Sequence, residues 1–171
     1  HAILAVQGPA SDAVLEALGV SPALEYMHFR PAQIAGVTVS LCRTGYTGEL
    51  GYEVVCAWSD AVTVWDALLS AGQPLGMLPA GLGARDTLRT EMGYALHGHE
   101  LSAEITPVMA GLGWAVGWDK PTFWGAEALK RQRAAGPSRR SRAIKAVGRG
   151  IPRPGMDCVG DDGAVVGTVT S

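Results

Sequence analysis

Glu53 is the residue whose setting suggests chemistry first. It lies in Gly51-Tyr52-Glu53-Val54-Val55-Cys56-Ala57, where Val54 and Val55 are apolar on both alternating faces. A strand of that kind is expected to be covered on both faces, which puts Glu53 on a partly buried surface beside Val55 and Ala57. A carboxylate there needs donors, or it protonates. A flat heterocycle with adjacent N–H and NH2 groups would meet it with two parallel hydrogen bonds. The competing reading is a carboxylate at a sheet edge paired with Lys or Arg.

Arg85 and Arg89 stand four apart in a segment that reads as helix, with Asp86 and Glu91 nearby. That spacing ordinarily gives a solvated salt-bridge face. Arg85 falls in the first turn, however, where the helix dipole disfavours a cation and a nearby anion would offset it. His97-Gly98-His99-Glu100 has alternate residues suited to a metal, but no Cys or Asp cluster completes a ligand set. The chain holds no G-x-G-x-x-G or G-x-x-x-x-G-K-[ST] phosphate loop, no G-x-S-x-G elbow and no catalytic cysteine context.

Stepping along the chain, Ala2-Ile3-Leu4-Ala5-Val6 reads as a strand ending at Gln7-Gly8-Pro9. A helix is expected next, with Ser11 as N-cap, Asp12 in its first turn, Val14, Leu15 and Leu18 inward and Gly19 as stop. Residues 36–43 alternate as a half-buried strand, and Tyr52 to Ala57 returns from the glycine-rich loop 44–51 to complete a β-hairpin. Ser59-Asp60 opens an amphipathic helix with Ala61, Val64, Trp65, Leu68 and Leu69 on one face, ended by Gly72. A second helix is expected over 82–92, with Ala84, Leu88 and Met92 inward and Gly93 as stop. Residues 94–106 read as irregular, Gly113 to Trp118 as a strand and Ala126 to Arg133 as a short helix. The order predicts an α+β fold built on antiparallel sheets flanked by helices.

Composition narrows the class. The 171 residues are 47% apolar and 18% charged, with 23 Gly and 10 Pro. Disorder is excluded at that apolar content, and the glycines read as tight turns. Three cysteines, at 42, 56 and 158, fit neither a disulfide framework nor a zinc ribbon and predict thiols in a reducing, cytoplasmic setting. No apolar run approaches the ~18 residues a membrane span requires. Residues 1–129 carry 5 Lys and Arg against 13 Asp and Glu, whereas residues 130–171 carry 9 against 3. All nine of those cations lie between Lys130 and Arg153 with no acid among them. The shift, with Ala134-Ala135-Gly136-Pro137-Ser138, predicts a boundary that divides the chain into 1–134 and 135–171. The basic run has no aromatic residue for stacking, which argues against single-stranded nucleic acid. A solvated linker and an acidic protein partner both remain open for it. The first and last strand-like runs start and stop at the chain ends, as expected for a piece of a longer protein.

Several segments together resemble the aminomethyltransferase, or T-protein, family of the glycine cleavage system. They are Leu4-Ala5-Val6-Gln7-Gly8-Pro9, Arg43-Thr44-Gly45-Tyr46-Thr47-Gly48-Glu49, Gly81-Leu82-Gly83-Ala84-Arg85-Asp86-Thr87-Leu88-Arg89, Thr106-Pro107-Val108, Gly111-Leu112-Gly113-Trp114 and Arg149-Gly150-Ile151-Pro152-Arg153. They occur in the family's order and nearly span the chain. The resemblance implies transfer of a one-carbon unit from an aminomethyl group on lipoylated H-protein to tetrahydrofolate, with release of ammonia. It places the family's pterin-binding glutamate on Glu53, its folate-contacting tyrosine on Tyr46 and its folate-contacting arginine on Arg85. The family's catalytic aspartate would lie upstream of Gln7, so no catalytic residue is expected in this chain. The resemblance also makes 1–134 part of the folate-binding domain and 135–171 a linker and the first strands of a C-terminal β-barrel. Leu50 and Met109 depart from the family, which commonly has an acidic residue at the first position and Glu at the second. A folate-binding or regulatory module without catalysis is the alternative reading on the same scaffold.

Overall fold

The computed structural model describes residues 1–171, which divide into two compact units, His1–Met92 and Gly93–Ser171. The first is built on a four-stranded antiparallel sheet of β1 (Ala2–Gln7), β2 (Phe29–Ile34), β3 (Val37–Cys42) and β4 (Gly51–Cys56), in spatial order β1-β4-β3-β2. Helices α1 (Ser11–Ala17) and α2 (Ala61–Gly72) supply the other layer of the core, and α3 (Leu82–Glu91) follows. The alternating residues Val6, Val39, Leu41, Tyr52, Val54 and Cys56 turn inward from the strands to meet Val14 and Leu15 of α1 and Val64 and Leu68 of α2. The antiparallel α+β expectation therefore holds for this unit.

Strand β2 carries no legible alternation and contains Pro31, so its residues gave no strand signal. It forms because it is the edge strand beside β3, where a missing amide donor is tolerated. Glycine supplies the left-handed residue after each of α1 and α3, Gly19 at φ +72° and Gly93 at φ +70°.

Several local expectations are corrected. Ser11 is the first residue of α1 rather than its cap; its buried hydroxyl lies 2.7 Å from the Gly8 carbonyl and 3.2 Å from that of Val6. A 3₁₀ turn over Trp58–Asp60 precedes α2, and Trp65 is largely exposed because Val64, Leu68 and Gly72 form the buried stripe. In α3, Ala84 and Met92 are exposed, Leu88 is half-buried, and the fully buried side chain is Arg89. The sheet is covered on one face only. On the other, Ile3 is 63% and Phe29 74% exposed, while Glu53 and Val55 are half-buried. Apolar residues on both faces of β4 therefore do not imply two covering layers here.

The second unit contains α4 (Ala126–Ala135) and the antiparallel pair β5 (Asp157–Val159) and β6 (Val165–Thr168). Residues 113–115 form a 3₁₀ turn, not a strand. The Trp118 indole N–H donates to the Gly113 carbonyl at 2.6 Å, closing the segment on itself where a strand would need a partner. A short apolar run cannot be told apart from other buried structure by periodicity alone. No helix of the chain is long and apolar enough to cross a membrane.

Candidate functional site

The loop between β3 and β4 is held by two side chains, Gln7 and Arg43. The Gln7 amide donates to the Thr44 carbonyl at 3.2 Å and the Tyr52 carbonyl at 3.1 Å, and its oxygen accepts from the Thr47 hydroxyl at 2.9 Å. A Cβ at Gly45 would stand 2.2 Å from the Gln7 amide oxygen, and one at Gly51 would stand 2.6 Å from the Val6 carbonyl. Gly51 must be bare for the loop to close over β1, and a side chain at Gly45 would displace the Gln7 amide from its bonds. Arg43 ties down the far end by donating to the Gly51 carbonyl at 3.0 Å, with its guanidinium 5.2 Å from the Tyr52 ring centre.

The loop then positions two of the expected site residues. Glu53 lies in β4, two residues past its first, and accepts a hydrogen bond from the Thr44 hydroxyl on Oε2. It lies on the open face of the sheet, in a row with Ala5 of β1 and Cys42 of β3. No Lys or Arg is ion-paired to it, so the sheet-edge salt bridge is not what the fold builds. A carboxylate has about four lone-pair positions, so one hydroxyl leaves acceptor capacity for an N–H/NH2 edge. Burial and the Glu53 charge both push the Cys42 thiol up, so a neutral thiol stands beside the carboxylate.

Tyr46, half-buried in the loop, meets Arg85 from α3: the guanidinium stacks over the phenol ring at 4.4 Å from its centre. Arg85 is exposed and has no carboxylate partner, so the expected offset of its first-turn charge comes from a π-face. Arg85 and Arg89 do not share a solvated face. Arg89 is 1% exposed and sends Nε and Nη2 to Asp86 Oδ1 at 2.8 and 2.6 Å. The two arginines thus divide the work: one anchors α3, the other faces out beside Tyr46.

The arrangement is a carboxylate acceptor and an aromatic–guanidinium stack carried by one strapped loop, its following strand and one helix. Asp12 and Asp86 are committed elsewhere, Asp12 to the Tyr52 hydroxyl at 2.8 Å and Asp86 to Arg89. In the second unit His99 Nδ1 lies 2.8 Å from the Thr170 carbonyl and Glu100 accepts from the Thr170 hydroxyl at 2.6 Å, and these residues assemble no metal-ligand group. Sequence reasoning missed Gln7 and Thr44 as positioning residues. The available signal was a polar residue ending an apolar strand and a threonine just before the turn.

Residues 1–120 match the family model described as the GCVT N-terminal domain. The chain is 58% identical over 170 residues to an aminomethyltransferase of Parafrankia sp. (strain EAN1pec), covering 99% of this chain and 47% of that protein. It is 56% identical over 172 residues to an aminomethyltransferase of Mycobacterium tuberculosis (strain ATCC 25618 / H37Rv), covering 46% of it. The crystal structure of glycine cleavage system aminomethyltransferase T from Bartonella henselae superposes with a TM-score of 0.87 at 35% identity, over 99% of this chain and 46% of that one. The chain thus spans about half the length of the curated relatives it matches. With a strapped glycine loop, a strand carboxylate and an arginine-bearing helix on that shared fold, the chain belongs to the GCVT N-terminal domain family.

Proposed function

We propose that this chain is the folate-holding part of a tetrahydrofolate-dependent aminomethyltransferase of the glycine cleavage system. In this reading Glu53 accepts two hydrogen bonds from the pterin edge of tetrahydrofolate, and Tyr46 and Arg85 flank the same ligand. The observation that carries it is the Glu53 carboxylate, bonded by Thr44 on an open sheet face with no cation paired to it, in the same unit as an Arg85–Tyr46 cation–π pair. Tetrahydrofolate is a substrate here: it takes the one-carbon unit from the aminomethyl group on lipoylated H-protein, and ammonia leaves. Residues 1–134 belong to the folate-binding domain and 135–171 to a linker and the first strands of a β-barrel. Supporting that division, α4 ends at Ala135 and Gly136 follows at φ +80°. Three free thiols fit a reducing cytoplasm.

The test uses the full-length protein with lipoylated, aminomethyl-loaded H-protein and tetrahydrofolate. Ammonia release that requires all three is the expected result. Tight folate binding without ammonia release assigns the scaffold to the non-catalytic binding module, and loss of both overturns the reading. The 171-residue chain alone is expected to release no ammonia, since on the family resemblance the catalytic aspartate would lie upstream of Gln7.

A further inference from the structure

The second unit contains a cavity of about 200 Å³ lined by Val108, Met109, Gly111, Arg133, Pro137, Arg140 and Arg142. Three segments wall it, and hydrogen bonds brace them against each other. The Thr106 hydroxyl donates to the Gln132 side-chain oxygen at 2.6 Å and accepts from the Met109 amide at 3.2 Å. The Ser141 amide donates to the Met109 carbonyl at 2.8 Å. Arg133 is held with its guanidinium 4.5 Å from the Trp118 ring centre. Gly136, at φ +80°, allows the chain to turn from the end of α4 into the segment that carries Arg140 and Arg142.

Three arginines, all solvent-exposed, line this one pocket and bring three positive charges to it, since arginine stays protonated in proteins. None of the three is ion-paired to a carboxylate of the chain. Arg142 donates to the adjacent Ser141 carbonyl at 3.0 Å, a local contact that neutralises nothing. The remaining wall is apolar, with Val108, Met109 and Pro137 half-buried along it. Guanidinium forks match planar oxyanions with paired hydrogen bonds, which single ammonium groups do not. The space exceeds the roughly 10–15 Å³ that one water requires many times over, room enough for a compact anion.

We propose that this cavity binds a small dianion, a phosphate or a dicarboxylate, through Arg133, Arg140 and Arg142. The site lies outside the Glu53–Tyr46–Arg85 group and does not depend on the folate reading. Met109 occupies the wall at a position where a carboxylate would neutralise the arginines from within.

The experiment is calorimetric titration of the full-length protein at low, constant ionic strength, with inorganic phosphate in one arm and succinate in the other. Saturable binding of at least one probe is expected, and the tighter of the two identifies the phosphate or the carboxylate source. The double variant Arg140→Gln/Arg142→Gln should weaken that binding at least tenfold. Met109→Glu should do the same while leaving every arginine in place. Arg139→Gln, whose side chain does not line the cavity, should bind as the parent does. Circular dichroism identifies any variant that fails to fold, in which case the other carries the test. No saturable binding of either probe, affinity unchanged in the folded variants, or equal weakening by Arg139→Gln overturns the proposal.

Discussion

Glu53 and Arg85 make separable demands on a ligand. Truncating Glu53 removes one side of a desolvated hydrogen-bonded pair, a change that costs ~2–4 kcal/mol in binding. Glu53→Ala in the full-length protein should therefore weaken tetrahydrofolate binding by that amount, and calorimetry giving the parent affinity would remove Glu53 from the site. Arg85 has a different test, because its contribution is planarity as well as charge. Its guanidinium sits over the Tyr46 ring, 4.4 Å from the ring centre. Lysine keeps the positive charge but cannot stack or present a fork. Arg85→Lys should still impair folate binding at least several-fold; full tolerance would make Arg85 a surface cation and nothing more.

At the scale of elements, α3 is held by Arg89 more than by apolar contacts, since its other residues are exposed except the half-buried Leu88. Asp86→Ala removes the carboxylate oxygen on which Nε and Nη2 of Arg89 converge. Hydrogen bonds to charged groups contribute about 1.5–3 kcal/mol, and Asp86 is partly exposed, so a cost of about 1–2 kcal/mol is expected. It should appear as a lower denaturation midpoint at unchanged m-value, with amide-exchange protection lost first in α3. Helix α1 is tied to β4 differently. The Tyr52 hydroxyl lies 2.8 Å from Asp12 Oδ1 and 2.8 Å from the Pro22 carbonyl, and donates to one of them at a time. Burial first, then the hydrogen bond and charge of Asp12, push the Tyr52 phenol from 10.0 up to about 12. A raised phenol favours the neutral form in the folded chain. Its contribution is full below pH 10 and is lost as pH rises toward 12, by roughly 2–3 kcal/mol over that window. Tyr52→Phe should flatten this alkaline loss in pH-dependent unfolding; an unchanged slope above pH 10 would mean that other groups carry it.

For the whole molecule, charge is segregated along the chain. Nine Lys and Arg lie without an acid between Lys130 and Arg153, while residues 1–129 carry 13 Asp and Glu against 5 Lys and Arg. A one-signed segment steers an oppositely charged partner, raising the association rate more than the final affinity. On the proposed function that partner is the lipoyl-bearing H-protein. Reversing Arg139, Arg140 and Arg142 to Glu should slow association several-fold at low salt. The effect should fade near 1 M salt, where screening shortens to ~3 Å. Stopped-flow rates indifferent to the reversal at low salt would leave these side chains as a solvated linker face.

The sequence by itself determined the antiparallel α+β class, the β3–β4 hairpin, the stripe of Val64 and Leu68 on α2, and Glu53 as a carboxylate set among apolar residues. Each is a local pattern, a period of two or of 3.6 with a glycine at its end, and local patterns survive without knowledge of partners. Tertiary structure alone decided the rest. Strand β2 exists because β3 offers it an edge, and Pro31 is harmless there. One face of the sheet stays open because only α1 and α2 pack against the sheet, and β4's own residues do not encode how many layers will cover them. Arg89 is buried and bonded to Asp86 while Arg85 is exposed over Tyr46, although both are arginines on one helix. Gln7 acquires its role only when β1 and the loop at 44–51 are brought side by side, a pairing across some forty residues that no spacing along the chain encodes, and Thr44 acquires its role only when the hairpin returns to set Glu53 against it.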